Sequence, residues 1–202
     1  MSTDLLATKV QALLQSVIVA GASQAARALS GMIGQPVTLT VSRISKWPLA
    51  AVADHLGGPE AHVAGIYLAS EGSLRGHIML ILSLEDALRL VDMLMELPEG
   101  TTRELDSLAR SALGEVGNLA ASFFLSSVAD AIGATCRPSP PAVIVDMAGA
   151  VLDIMLVTAG ALGDHVLLLE AIFCTASRHM RLHFWMVPDL ATQEDAIYSC
   201  SI

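Results

Sequence analysis

Sliding the second half of the chain back by 99 residues lays its landmarks on those of the first. Gly133 falls on Gly34, Ile132 on Ile33, and Val166-Leu167 on Tyr67-Leu68. A repeat of this length restricts the fold more than any local pattern does. Each copy must build the same order of elements and bury its apolar face against something. The first half reads as a long helix over about 4–33, closed at Gly34 with Pro36 beyond it. Residues 37–42 alternate like a strand, and 48–56 suit a short helix ended by Gly57-Gly58-Pro59. Residues 61–69 and 74–83 form a hairpin about 70–73, and 84–97 are amphipathic and helical. The joint is 98–102.

The second half repeats this order. A long apolar helix lies within 103–132, then a loop at 137–141, a strand at 142–146 and a short helix at 148–157. A hairpin of 164–175 with 180–187 and a last helix over 189–202 complete it. Each half is helix, strand, short helix, two strands, helix. Neither half covers its own sheet well. The expected fold is therefore α/β (α+β), a single domain over 1–202 whose halves, about 1–100 and 101–202, are related by an approximate twofold. The long helices would pack on one continuous β-sheet.

With 53% hydrophobic and 15% charged residues, 202 residues build a sizeable core and exclude a disordered chain. Mean hydropathy of +0.60 raises the question of a membrane. Asp146, Asp153, Asp164 and Glu170 interrupt the apolar region 142–171. The uncharged run 10–26 holds several Gln and Ser and falls short of the ~18 residues of a span. Asp4 stands near the start with no basic segment before an apolar one, which argues against a secretory leader. The expectation is a cytoplasmic protein without membrane insertion. A net charge of −9, with eleven scattered basic residues, argues against nucleic acid as a partner. Cys136, Cys174 and Cys200 share no short spacing and read as reduced thiols.

The chemistry-bearing pattern lies in the second long helix. At about 100° per residue, Ser111, Glu115, Asn118 and Ser122 fall within roughly 60° of one another. Leu105, Leu108, Ala112, Val116, Leu119 and Phe123 lie elsewhere around it and can face a core. A carboxylate and a carboxamide one turn apart on a rigid helix reach together into another molecule's site. The plain alternative is a solvated helix face. After Asn118, twenty-two residues intervene before Pro141.

Ser111, three residues, Glu115, two residues, Asn118, twenty-two residues, Pro141 is a spacing that resembles the CheC/CheX/FliY family of bacterial and archaeal chemotaxis phosphatases. The run Ser111-Ala-Leu-Gly-Glu-Val-Gly-Asn-Leu-Ala-Ala is similar to that family's active helix, and residues 13–30 resemble its repeated first helix. The resemblance thus covers the whole chain. It implies a phosphatase for the phospho-aspartate of a CheY-type response regulator. By that resemblance Asn118 orients the attacking water and Glu115 pairs with a lysine of the regulator. Ser111 adds an interface hydrogen bond, and Pro141 shapes the loop beside the helix. No cofactor of its own is implied, because the magnesium belongs to the regulator.

In the first half the same positions are Ala12, Ser16, Val19 and Ser42. Val19 cannot hydrogen-bond a water, and Ser16 has neither the charge nor the reach of Glu. One working site is expected. The resemblance leaves two other readings open: a non-catalytic module like the middle domain of the flagellar switch protein FliM, and an adaptor for a CheD-type deamidase.

Other candidate chemistry is weaker. His179 and His183 are four apart, but on a strand they share a face with Arg181 and Trp185. A cation between them disfavours a metal, so the reading is a solvated sheet face or a partner surface. Asp146, Asp153 and Asp164 share no spacing that would hold magnesium. No metal site is expected, and no phosphate-loop, dinucleotide or nucleophile-elbow pattern occurs.

Overall fold

Among the described residues, seven antiparallel strands make one sheet, flanked on both faces by helices. The computed structural model describes residues 2–48, 51–73, 75–133, 135–158, 165–176 and 179–188. In chain order the elements are α1 (Ser2–Ile33), β1 (Thr38–Pro48), α2 (Val52–His55), β2 (His62–Gly72), β3 (Gly76–Ser83) and α3 (Leu84–Leu94). Then come α4 (Ser107–Ile132), β4 (Cys136–Pro138), β5 (Ala142–Met147), α5 (Ala148–Thr158), β6 (His165–Cys174) and β7 (His179–Pro188). The expected helix over 189–202 and Asp164 lie outside the described residues.

The strand order is β1-β6-β7-β3-β2, with β4 and β5 both paired to the outer edge of β2. Exchanging β1 with β5, β2 with β6 and β3 with β7 reads this order backwards. β3 and β7 meet at the centre, with Ile78 opposite Met186 and Leu80 opposite Phe184. The outer strands cross over. β1 of the first half pairs β6 of the second, and β5 of the second pairs β2 of the first.

Successive side chains of a strand point to opposite faces. Ile66, Leu68, Ile78, Leu80, Leu82 and Phe184 accordingly enter the larger core beneath α1, α3 and α4. Val63, Met79, Ile81 and Trp185 enter a second cluster with Val52 of α2 and Val151 of α5. Central strands covered on both faces read as nearly continuous apolar runs, which accounts for much of the high hydropathy. α4 is long and apolar enough to cross a bilayer, and 61% of its most apolar window is buried within this fold.

Most expected elements appear in order. β1 runs on to Pro48, α4 starts at Ser107, and Gly34 and Gly133 close the long helices in the left-handed region at φ 72° and 63°. The stretch 137–141, expected as a loop, begins with strand β4, because Ser70 and Gly72 of the long β2 offer partners to Pro138 and Cys136. The face holding His179, Arg181, His183 and Trp185 is not solvated along its length. His183 is buried and Trp185 fully so, because α2 and α5 cover that end of the sheet. The His55 ring meets His183 edge-on at 5.6 Å between centroids. His179, exposed at the other end, places Nδ1 3.0 Å from Cys174 Sγ. Among the described residues no three His, Cys, Asp or Glu side chains group as metal ligands.

The joint between halves is tied down by Asp92 at the end of α3, which is buried. Its carboxylate accepts from the backbone N–H of Gly100 at 2.7 Å and of Thr102 at 2.8 Å. Burial alone would push this carboxyl up. Hydrogen bonds from the Thr102 hydroxyl and the backbone of residues 100–102 outweigh it and hold the group below its ordinary value.

Candidate functional site

α4 is preceded by Asp106, whose carboxylate caps the helix by accepting from the Ala109 N–H at 2.8 Å. One turn on, Arg110 fastens this end to the sheet. Its Nε donates to the Leu105 carbonyl at 2.9 Å and its Nη1 to the Val143 carbonyl of β5 at 3.2 Å. The position of α4 along the sheet is thus set just where the 139–141 loop enters β5. Ser139 secures that loop from the other side, accepting from the Ala69 N–H at 2.9 Å through its hydroxyl.

Height above the sheet is set by Gly117. A Cβ at Gly117 would run into the Ile66 side chain of β2, and one at Gly114 would touch the Pro141 ring at 3.4 Å. At Gly117 only a residue without a side chain lets the helix lie this close to β2, whereas at Gly114 a methyl group would make an ordinary contact with Pro141. Gly117, between Glu115 and Asn118, is the sequence signal for a close approach that the spacing of the polar residues does not reveal.

The outer face carries the polar stripe. Ser111 and Glu115 are exposed, and Asn118 and Ser122 are half-buried. Ser111 turns its hydroxyl back to the Ser107 carbonyl at 3.0 Å. Among the described residues, no hydrogen bond or ion pair engages the side chains of Glu115 or Asn118. Arg110, Ser111, Gly114, Glu115, Pro141 and Val143 line one open depression, so the distant Pro141 does come to the helix. Asn118 stands one turn further along, outside that lining.

Leu108 departs from expectation. It is 59% exposed, whereas Leu105 and Val116 are buried as expected and Ala112, Leu119 and Phe123 are half-buried. At about 100° per residue Leu108 lies about 20° from Glu115, on the stripe itself rather than on the core side. On α1, Ser16 is exposed and Val19 is 49% exposed, so that helix also presents these two positions outward. Ala12 and Ser42 lie where no side chain is described.

An uncommitted carboxylate and carboxamide on a fixed helix, beside a shallow depression, offer one anion and one neutral donor–acceptor to a second molecule. They do not form a nucleophile–base pair or a ligand set.

Residues 108–145, which hold all four motif positions, match the model of the CheC-like family. The CheY-P phosphatase CheC of Bacillus subtilis (strain 168) is 29% identical over 173 residues, which span 84% of this chain and 83% of that protein. FliY of Thermotoga maritima has a similar structure, with a TM-score of 0.72, 19% identity and 91% of each chain covered. The FliM middle domain of Vibrio alginolyticus matches at a TM-score of 0.67 and 9% identity, over 93% of this chain and 99% of that one. The last two matches speak to the fold alone.

Proposed function

We propose that this chain, CheC-like in sequence and in fold, is a protein phosphatase acting in the cytoplasm on the phospho-aspartate of a CheY-type response regulator. The observation that carries the reading is the pair Glu115 and Asn118. They stand one turn apart on a helix capped at both ends and clamped to β5 by Arg110, with both side chains uncommitted among the described residues. The relative named as a CheY-P phosphatase supports the substrate class.

In hydrolysis the water oxygen bonds to phosphorus. The bond from phosphorus to the aspartyl oxygen breaks, its electron pair goes to the carboxylate, and the protons of water end on phosphate and solvent. An acyl phosphate is already activated, and the magnesium held by the regulator supplies charge neutralisation. What remains for the partner to add is position. The Asn118 amide holds the water through one donor and one acceptor, and it does not titrate. Glu115 carries the negative charge that pairs with a regulator lysine and fixes the register of the two proteins. Ser111 and Pro141 border the depression next to them.

A second reading is a non-catalytic module, supported by the likeness of fold to the FliM middle domain. The two readings separate in one experiment: phosphate release from a panel of phosphorylated CheY-type regulators, with wild-type protein and with Asn118→Ala. The phosphatase reading expects stimulation by the wild type and a loss of about a hundredfold in the variant. A variant as active as the wild type sinks the assignment of Asn118, and a wild type inert on every regulator sinks the enzyme.

A further inference from the structure

We propose that Leu108 is the apolar anchor by which the phosphorylated regulator seats on α4, a docking residue that lies outside the four-residue motif. This rests on the proposed function, since the occupant is the same regulator. Single exposed leucines are ordinary on protein surfaces, and three observations set this one apart.

The first is angular. Leu108, Ser111, Glu115, Asn118 and Ser122 follow one another at intervals of three, four, three and four residues, so all five line one stripe of α4. A regulator touching Glu115 and Asn118 faces Leu108 as well.

The second is distance along the helix. At about 1.5 Å per residue Leu108 lies about 10 Å from Glu115 and about 15 Å from Asn118. A standard interface covers about 800 Å² of each partner, which for a round patch is a radius of about 16 Å. A patch centred near Glu115 therefore contains Leu108.

The third is the commitment of the neighbours. Leu105 and Ala109 on either side are buried, and Leu108 is 59% exposed, so the fold gains little from a large apolar side chain there. Asp106 and Arg110 hold the first turn in place through Ala109, Leu105 and Val143. The leucine is therefore presented from a rigid base, which limits the ordering cost of using it. Glu115 gives register and Asn118 acts on water, but both contacts are polar and largely exchange one hydration for another. An exposed leucine adds the burial of a large apolar side chain to those polar contacts.

The test is a titration with a CheY-type regulator carrying beryllofluoride as the phosphate mimic, alongside steady-state phosphate release. Leu108→Glu is expected to raise both Kd and KM about tenfold or more, with kcat within about twofold, which is the pattern of lost uniform binding. Leu108→Met is expected to restore both. Thermal unfolding of the variants should match wild type, because the side chain is exposed. Unchanged Kd in Leu108→Glu overturns the proposal, as does a fall in kcat at unchanged KM. Wild type that binds in a Leu108-dependent way but releases no phosphate sustains the anchor and sinks the phosphatase reading. No binding by wild type to any regulator overturns both.

Discussion

Gly117 of α4 lies flush on Ile66 of β2, with no room for a methyl group between them. Ile66 is fully buried and β-branched at the middle of a strand paired on both sides, so it cannot swing aside. Gly117→Ala should therefore lift α4 locally and destabilise the fold by about 1–3 kcal/mol, although alanine is the better helix former. Denaturant unfolding gives the stability. Phosphatase activity should fall by more than the folded fraction explains, since Glu115 and Asn118 flank the displaced turn.

Glu115→Ala should act on binding before chemistry. Removing one partner of a desolvated charge pair costs about 2–5 kcal/mol. The loss should appear in the regulator concentration needed for half-maximal rate. At saturating regulator the turnover should stay well above that of Asn118→Ala. If the two variants are equally slow at saturation, Glu115 has a role at the reacting atoms.

Asp92 sets a pH dependence for stability. Its carboxyl in the folded chain titrates below its unfolded value. Its contribution is therefore full above the unfolded pKa of about 4 and is lost as pH falls through the lower folded value. Asp92→Asn should cost about 1–3 kcal/mol at neutral pH, because the Gly100 and Thr102 N–H groups lose a charged acceptor. It should also flatten the stability curve below pH of about 4. Urea midpoints measured at several pH values check both. A variant as acid-sensitive as wild type would assign that sensitivity elsewhere.

Ser16→Ala and Val19→Ala should each leave phosphatase activity within about twofold of wild type, since Val19 has no polar atom to hold a water and Ser16 has neither the charge nor the reach of Glu. Both positions are exposed, so folding should be preserved. A tenfold loss of turnover at unchanged stability would bring α1 into the reaction.

Element order was legible because Gly and Pro fall at the ends of elements and the apolar periods switch cleanly from helix to strand. Gly34 and Gly133 marked the helix ends within a residue. The spacing from Ser111 to Pro141 was legible too, and the structure brings Pro141 against Gly114. What escaped depends on partners distant in sequence. β4 is a strand only because β2 extends far enough to pair with it. Trp185 is buried only because α5 folds back over it, and strand alternation alone cannot say which face is covered. Leucine as a residue type points to a core, whereas the angle of Leu108 on the helix, taken alone, puts it beside Glu115. Arg110, a cation in an acidic chain, gave no sign that it would clamp the helix to β5.

The strand beneath the turn between Glu115 and Asn118 belongs to the other half of the chain. Every motif position lies between 111 and 141, yet Ile66 of β2 is what the helix rests on and what β5 pairs beside. A fragment starting at residue 101 would carry the complete text of the site and lack its foundation. The first half, whose own long helix lacks the Glu and the Asn, is thus as indispensable to the site as the half that bears them: a motif can be whole in sequence while the surface that makes it work is borrowed.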